Sequence, residues 1–237
     1  MAKRKVASTK NVVKQGNAVD ETLIDIVEVR DNATDFFTKN KNIILATIGG
    51  LILLIGGYWA YNNLYKAPKQ QEAVAQMYQA QIQFEKDSFD LALNNPGGGY
   101  SGFLGIINKY GGTDAGNLAN YYAGLCYLQT GKFNEAVKYL EAYKASGDVL
   151  TYTKYSALGD AYAELNKMDQ AESNYKKATQ GDDDLLTPMN LKKLGQFYES
   201  RNNPKAALAV YQEIKDKYPV SSEGRDIDKY LAKLGAK

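Results

Sequence analysis

The segment AGLCYLQTGKFNEAVKYL, residues 123–140, decides the fold, because its spacing of residues recurs twice further along the chain. Ala or Leu followed by Gly begins each copy, Tyr comes three residues after the glycine, and Ala comes nine residues after that Tyr. The other copies begin at Leu158-Gly159 and Leu194-Gly195, and the three glycines are 35 and 36 residues apart. A fixed period of this length predicts a repeat architecture.

Each copy is predicted to fold into two helices joined by a tight turn. The breaks lie at Gly131-Lys132, at Asn166-Lys167 and at Asn202-Asn203-Pro204. Glycine and asparagine favour turns, and Pro204 suits the first turn of the helix that it starts. The small residues at the glycine and alanine positions allow two helices to approach closely, while Tyr and Leu fill the surrounding space. Because each pair must bury its apolar stripe on a neighbour, we expect the pairs to stack.

This pattern resembles the tetratricopeptide repeat, whose unit is a 34-residue helix pair. The resemblance implies an all-α fold, an α-solenoid with three clear repeats at about 117–150, 152–185 and 188–221. Binding of peptide segments along a concave surface, lined mainly by the first helix of each pair, is the expected function of such a stack.

Two further segments extend the predicted stack. Residues 69–112 are expected to form a degenerate fourth pair, with a long first helix over 69–94, a break at Asn95–Gly99 and a second helix from Phe103 to Tyr110. The sequence Lys109-Tyr110-Gly111 resembles Lys217-Tyr218-Pro219 of the last repeat. Downstream, the helical spacing of four apolar residues predicts a C-terminal capping helix; they are Ile227, Tyr230, Leu231 and Leu234.

Residues 43–61, IILATIGGLILLIGGYWAY, predict a single transmembrane helix. The 18 residues from Ile43 to Ala60 would cover roughly 27 Å as a helix, close to the hydrocarbon thickness of a bilayer. A cleaved signal peptide is the alternative, but 42 mostly polar residues precede the run and no small-residue cleavage site follows it, which favours a retained anchor.

Charge predicts the orientation of this anchor. Residues 1–42 contain eight Lys or Arg, whereas residues 62–80 contain two. Basic residues favour the cytoplasmic side of a membrane. We therefore expect residues 1–42 to be a cytoplasmic tail and residues 62–237 to be an exported domain, which in a bacterium is the periplasmic side of the inner membrane.

The cytoplasmic tail divides in two. It is predicted to be disordered up to about Val19, and residues 20–40 then fit a short amphipathic juxtamembrane helix. One predicted face carries Leu23, Ile26, Val27, Ala33 and Phe37, and the other carries Glu21, Asp25, Glu28 and Asp35. Contact with a partner helix and a solvated continuation of the anchor both fit this pattern.

Small residues form a stripe on the predicted membrane helix. They lie within about 120° of one another on a helical wheel; the stripe comprises Ala46, Gly49, Gly50, Gly56, Gly57 and Ala60. Small residues permit close packing of membrane helices, so the stripe predicts self-association or docking on a membrane complex. The alternative is that the membrane simply tolerates glycine here, since glycine is common in such helices.

The composition offers little for catalysis. The chain has no histidine and one cysteine, Cys126, which removes histidine-activated nucleophiles and the usual zinc sites. The Gly97–Gly102 loop lacks the Lys-Ser or Lys-Thr of a phosphate loop. The run Asp182-Asp183-Asp184 lacks the spacing of a calcium loop, so these three aspartates are interpreted as solvated. The near balance of 29 basic and 27 acidic residues gives no case for nucleic acid. We expect a non-enzymatic protein without a metal or cofactor.

The predicted groove residues come from the first helix of each repeat. They are Leu118, Tyr121, Leu125 and Leu128, then Thr153, Ser156 and Asp160, then Met189, Lys192 and Gln196. The alternative for Leu125 and Leu128 is packing between helices. Tyr121 and Leu125 occupy positions at which some tetratricopeptide repeats clamp a C-terminal carboxylate with Lys and Asn, so that clamp is not expected.

The layout as a whole is similar to the ancillary subunit of the bacterial SecYEG translocon, the YfgM-like family. The likeness rests on the segment VRDNATDFFTKN, residues 29–40, and on the glycine-rich span that ends in GYWAY, residues 57–61. It implies an inner-membrane protein that associates with the translocon and periplasmic chaperones and handles emerging polypeptides. A structural scaffold for another envelope complex is the alternative, and a membrane-tethered enzyme is a more distant one.

Overall fold

The computed structural model describes residues 17–235, and all regular elements in that range are helical. The chain divides into two compact units between Asn62 and Asn63. Residues 1–16, most of the predicted disordered tail, lie outside the described residues. The side chains of residues 20–28 lie outside them too, and these include six that define the two faces of the predicted amphipathic helix, namely Glu21, Leu23, Asp25, Ile26, Val27 and Glu28.

The first unit contains one helix, α1, Asn17–Ala60. The predicted juxtamembrane and membrane helices are therefore parts of a single 44-residue helix. Helix α1 is long and apolar enough to cross a membrane. Its polar side chains bond to their own helix: the hydroxyls of Thr34, Thr38 and Thr47 donate to carbonyls four residues earlier at 2.7, 2.9 and 2.8 Å. Such internal bonds satisfy these hydroxyl groups within the helix itself.

The second unit is a series of ten helices that follow a π-helical segment, Tyr61–Lys66. They are α2 (Ala67–Glu85), α3 (Phe89–Asn94), α4 (Phe103–Tyr110), α5 (Asp114–Gln129), α6 (Phe133–Ala142), α7 (Asp148–Glu164), α8 (Met168–Ala178), α9 (Leu186–Ser200), α10 (Pro204–Lys217) and α11 (Ser222–Lys233). The repeats are the pairs α5–α6, α7–α8 and α9–α10, and α11 packs against α9 and α10. The first helices begin two to four residues before the predicted starts at residues 117, 152 and 188.

One turn geometry recurs between the helices of each pair. Gly131, Asn166 and Asn202 have φ values of 73°, 57° and 54°, the left-handed region that favours Gly and Asn. In each turn the next residue donates its N–H to the carbonyl five residues earlier, at 2.9 Å. Asp87, with φ of 56°, has the same geometry. The turn of the degenerate pair therefore lies at Asp87.

This turn corrects the boundaries predicted within residues 69–112. The first helix, α2, ends at Glu85 and does not continue to residue 94. The second helix is split into α3 and α4 by the loop over residues 95–102. The Pro and three glycines that signalled a break between helices thus interrupt the second helix of the pair instead.

The repeat glycines are contact points between the two helices of each pair. A Cβ atom placed on Gly124 would lie 2.6 Å from Cγ of Leu140, and one on Gly159 would lie 2.5 Å from Cδ1 of Tyr175. At Gly195 the atom would overlap the ring of Tyr211. The side chain of the second helix thus occupies the space of the missing Cβ. Only glycine permits this separation of the helices.

A capping motif recurs before α5 and before α11. The Thr113 hydroxyl donates to the Tyr110 carbonyl at 2.7 Å and accepts from the Gly116 N–H at 3.0 Å. Ser221 makes the equivalent bonds, to the Tyr218 carbonyl at 2.8 Å and from the Gly224 N–H at 2.9 Å. The likeness of the sequences at residues 109–111 and 217–219 therefore corresponds to one local structure, a helix end that is capped by the start of the next helix.

Replacing a repeat glycine should separate the two helices. We expect Gly159→Ala to reduce the free energy of unfolding by about 1–3 kcal/mol, because the new methyl group meets the Tyr175 ring. Urea unfolding followed by circular dichroism measures the loss. Gly112→Ala is the control, since its Cβ meets nothing within 4 Å. Equal stabilities for Gly159→Ala and the wild type would contradict the proposed contact.

Candidate protein-binding face

The four predicted groove residues of the first repeat lie mostly between helix pairs. Tyr121 is only 9% exposed and belongs to a buried cluster with Tyr143 and Leu158. Leu118, Leu125 and Leu128 are half-buried and pack against the same cluster. These contacts favour the packing alternative for Leu125 and Leu128, because their side chains join the first repeat to the second.

Two of the three polar groove candidates of the second repeat, Ser156 and Asp160, belong to an internal network. The Lys193 ammonium lies 2.5 Å from Oδ2 of Asp160 and donates to the Ser156 hydroxyl at 3.2 Å. The Tyr175 hydroxyl donates to Oδ1 of Asp160 at 2.8 Å. Burial and the nearby Asp160 carboxylate raise the pKa of Tyr175. This network joins α7, α8 and α9. The third candidate, Thr153, donates to the Val149 carbonyl of its own helix at 3.0 Å.

The third repeat carries the most accessible candidates. Met189 is 40% exposed, and Gln196 is exposed as well. Lys192 lies against the capping helix, with its ammonium 5.4 Å from the centre of the Tyr230 ring. The structure thus leaves Met189 and Gln196 open to a partner. Most of the other candidates contact neighbouring helices.

A surface pocket of about 290 Å³ lies where the second and third repeats meet. It is lined by Val149, Tyr152 and Leu186 together with Asp182 and Asp183. An apolar surface with acidic residues beside it suits an apolar side chain in a basic segment. None of these five lining residues is among the predicted groove residues, because the groove prediction covers only one face of each first helix.

A repeated signal nevertheless includes one lining residue of this pocket, Val149, and the residue before another, Leu185. Val149 and Leu185 each lie ten residues before a repeat glycine, Gly159 or Gly195. They are 55% and 68% exposed. An apolar residue at the same position in two repeats is a pattern that the sequence alone shows, and it marks exposed apolar surface here.

Asp183, one of the three aspartates interpreted as solvated, also caps the start of α9. Its Oδ1 atom accepts hydrogen bonds from the N–H groups of Leu185 at 2.9 Å and Leu186 at 2.6 Å. In return, the Asp183 N–H donates to the Thr187 hydroxyl at 3.1 Å. Asp183 thus satisfies N–H groups at the start of α9, and these bonds hold the pKa of its carboxyl below the usual value.

The single cysteine has the environment of a packing residue. Cys126 is buried, and burial raises the pKa of its thiol to about 12. The reactive thiolate is therefore scarce at neutral pH. Among the residues that the structure describes, no group of three or more His, Cys, Asp or Glu side chains is placed to hold a metal ion.

Comparison with known proteins identifies the repeats. Two family models, both described as tetratricopeptide repeat, match residues 118–146 and 156–222. These matches fall on the helix pairs that contain the recurring glycines. No curated protein matches the chain. The repeat architecture is a protein-binding one, and the chain thus carries tetratricopeptide repeats that support protein–protein interaction.

The cap formed by Asp183 should make the stability of α9 depend on pH. A lowered pKa means that the ionised carboxyl stabilises the fold above its unfolded pKa, and that this contribution is lost as the pH falls through the folded pKa. We expect Asp183→Asn to lower the melting temperature at neutral pH, and the difference from wild type to shrink as the pH falls below the ordinary carboxyl pKa of 3.8.

Thermal unfolding across this pH range measures the effect. Asp184→Asn is the matched control, because it removes one exposed neighbouring carboxylate and is expected to change the melting temperature little. A melting temperature of Asp183→Asn that stays below that of wild type by the same amount at every pH would contradict the capping role of the carboxylate.

Proposed function

We propose that this chain is a non-enzymatic, membrane-anchored adaptor that binds proteins through its repeat stack. One observation carries the proposal: the same chain joins tetratricopeptide repeats to a helix that is long and apolar enough to cross a membrane. A repeat stack held at a membrane raises the local concentration of its partner there.

The anchor is proposed to cross the bacterial inner membrane once, with the N-terminus in the cytoplasm. The excess of basic residues before the apolar segment supports this orientation. Residues 62–237 would then lie in the periplasm as the exported domain. The proposed domain division is a cytoplasmic tail to residue 42, a span over residues 43–61 and the repeats beyond it.

The finer proposal is an ancillary subunit of the Sec translocon or a chaperone-like factor that binds emerging polypeptides. It rests on the resemblance of residues 29–40 and of the span to the YfgM-like family. A Cβ placed on Gly49, Gly50, Gly56 or Gly57 would meet no atom within 4 Å beyond the adjoining backbone of α1, so this stripe is open to a neighbouring membrane helix. Lateral docking on the translocon, or self-association, would use it.

Binding of a client would use the accessible part of the repeat domain. Met189 is an adaptable apolar contact, since methionine is unbranched and polarizable. Val149, which lines the pocket, and exposed Leu185 offer further apolar surface. The small number of such residues favours weak contacts with many polypeptides, and burial of their apolar area supplies the affinity.

A structural scaffold for another envelope complex is the second candidate. It is favoured by the internal contacts of Tyr121, Asp160 and Lys192, which leave little continuous groove for an extended client. A scaffold would bind one folded partner permanently. A client-binding adaptor would contact many proteins briefly.

Photocrosslinking in living cells separates these two functions. We expect a photoreactive residue at Met189 to capture diverse exported proteins, and one at Leu51 in the span to capture translocon subunits, because both side chains are exposed. Mass spectrometry identifies the partners. Lys205, exposed on α10, is the control position. One recurrent folded partner at both positions would favour the scaffold, and equal capture from Met189 and Lys205 would contradict client binding at this face.

Labelling of a single accessible cysteine tests the orientation. Cys126 is buried, so Gln196→Cys supplies the reactive thiol. We expect a membrane-impermeant maleimide to label this variant once the outer membrane is opened, while the inner membrane is intact. Wild type, with Cys126 alone, is the control. Labelling only after the inner membrane is broken would contradict export of the repeat domain.

A further inference from the structure

Helix α1 carries a shallow groove on one side, with a volume of about 310 Å³. Its lining residues recur every three or four positions, the spacing of one helical face; they are Thr34, Phe37, Thr38, Lys41, Ile44 and Leu45. The hydroxyls of the two threonines already donate to carbonyls of α1, at 2.7 and 2.9 Å. The groove therefore combines apolar walls with one ammonium group, that of Lys41.

The charge that faces this groove is positive. Residues 29–60 contain five charged side chains: Arg30, Asp31, Asp35, Lys39 and Lys41. Arg30 and Asp31 pair with each other at 3.3 Å. Around the helix, Asp35 lies about 120° from Lys41, and Lys39 lies about 160° from it. None of the carboxylates in this part of the chain makes an ion pair with Lys41. The Lys41 ammonium is thus available to an anion that enters the groove.

Large aliphatic side chains continue the same side of α1 towards its C-terminal end. Ile48, Ile52 and Ile55 follow at helical spacing and are 50%, 64% and 68% exposed. The stripe of small residues is centred about 120° away around the helix. Because small residues are what lets membrane helices approach closely, the stripe suits a protein neighbour. The bulky side that carries the groove suits lipid chains.

The groove lies at the height of the cytoplasmic bilayer boundary. A hydrocarbon core of roughly 30 Å takes about 20 helical residues, which corresponds to residues 42–61. Residues 37–41 then occupy roughly 6 Å of the headgroup layer, whereas Ile44 and Leu45 face the first part of the acyl chains. The Lys41 side chain leans towards the cytoplasm, because the Cα–Cβ bonds of a helix tilt towards its N-terminus.

We propose that this groove binds an anionic phospholipid of the cytoplasmic leaflet, an inference that rests on the proposed membrane anchor. The lipid phosphate pairs with the Lys41 ammonium, and one acyl chain passes Ile44 and Leu45 and continues along Ile48. The ammonium thereby has a charged partner at the edge of the bilayer, while the stem of its side chain contacts apolar groups. The negative surface of a cytoplasmic leaflet attracts basic side chains at this height.

A second membrane helix is the alternative occupant of the groove. Such a helix would have to supply an acidic residue to Lys41 at the edge of the bilayer, and it would meet branched and aromatic side chains instead of glycine. The small-residue stripe offers it a closer approach on another side of α1. Since the two surfaces are separate, α1 can bind a lipid in the groove and a membrane protein along the stripe at the same time.

Fluorescence quenching by brominated phospholipids tests the lipid, because Trp59 is the one tryptophan of the chain. Combining Trp59→Phe with Ile48→Trp in the full chain moves the probe to the groove side of α1. This variant is placed in phosphatidylcholine vesicles that contain either brominated phosphatidylglycerol or brominated phosphatidylcholine. We expect phosphatidylglycerol to bind near the probe about fivefold more tightly than phosphatidylcholine, the preference that one lysine at an anionic surface supplies.

Two charge-removing substitutions in this single-tryptophan chain separate the groove from the general basic character of the tail. Lys41→Gln should abolish the preference, whereas Lys39→Gln, the matched control on another side of α1, should leave it unchanged. Equal effects of the two substitutions, or a preference that survives Lys41→Gln, would overturn lipid binding in the groove.

The wild-type chain distinguishes a failure of this inference from a failure of the anchor. Quenching of wild-type Trp59 without quenching of the probe at residue 48 would show that protein covers the groove side, and would overturn the lipid alone. If brominated lipids do not quench Trp59 either, the proposed membrane anchor is wrong, and the lipid site with it.

Discussion

Close contact at the repeat glycine is the constraint on which the repeat unit depends. In each clear pair a side chain of the second helix fills the space that a Cβ would take, Leu140 at Gly124, Tyr175 at Gly159 and Tyr211 at Gly195. This contact sets the distance between the two helices. It also explains why the period of the sequence is visible at the glycines, since no larger residue fits there.

Contacts between successive pairs are chemically varied, in contrast to the contacts within them. Aromatic and aliphatic side chains around Tyr121 join the first repeat to the second, whereas the Lys193–Asp160 pair joins the second to the third. Both arrangements use residues of the first helices. Residues that face a concave surface by position are therefore also the residues that hold the stack together, which reduces the area left for a partner.

The fold could be predicted from the sequence because the period, the glycines and the turn residues are local signals. The split second helix of the degenerate pair could not be predicted in this way. Asp87 is a less specific turn residue than Gly131, and the apolar pattern continues across Asp87. The candidate site was harder to predict. A helical wheel places Tyr121 and Asp160 on the predicted groove face of their helices. Whether the neighbouring pair buries these side chains depends on how the pairs stack, which the sequence of one helix does not show.

The two ends of the stack, α2 and α11, expose different kinds of residue. A first helix in a repeat protein carries one face for its own pair and another for the pair before it, and in α9 the second face includes the polar residues Asn190 and Lys193. At α2 the second face persists without a preceding pair, with Tyr78 exposed, whereas α11 presents charged residues at the other end. The exposed apolar residues of α2 therefore reflect its place at the start of the stack, where the part of the chain that the structure describes has no earlier helix pair.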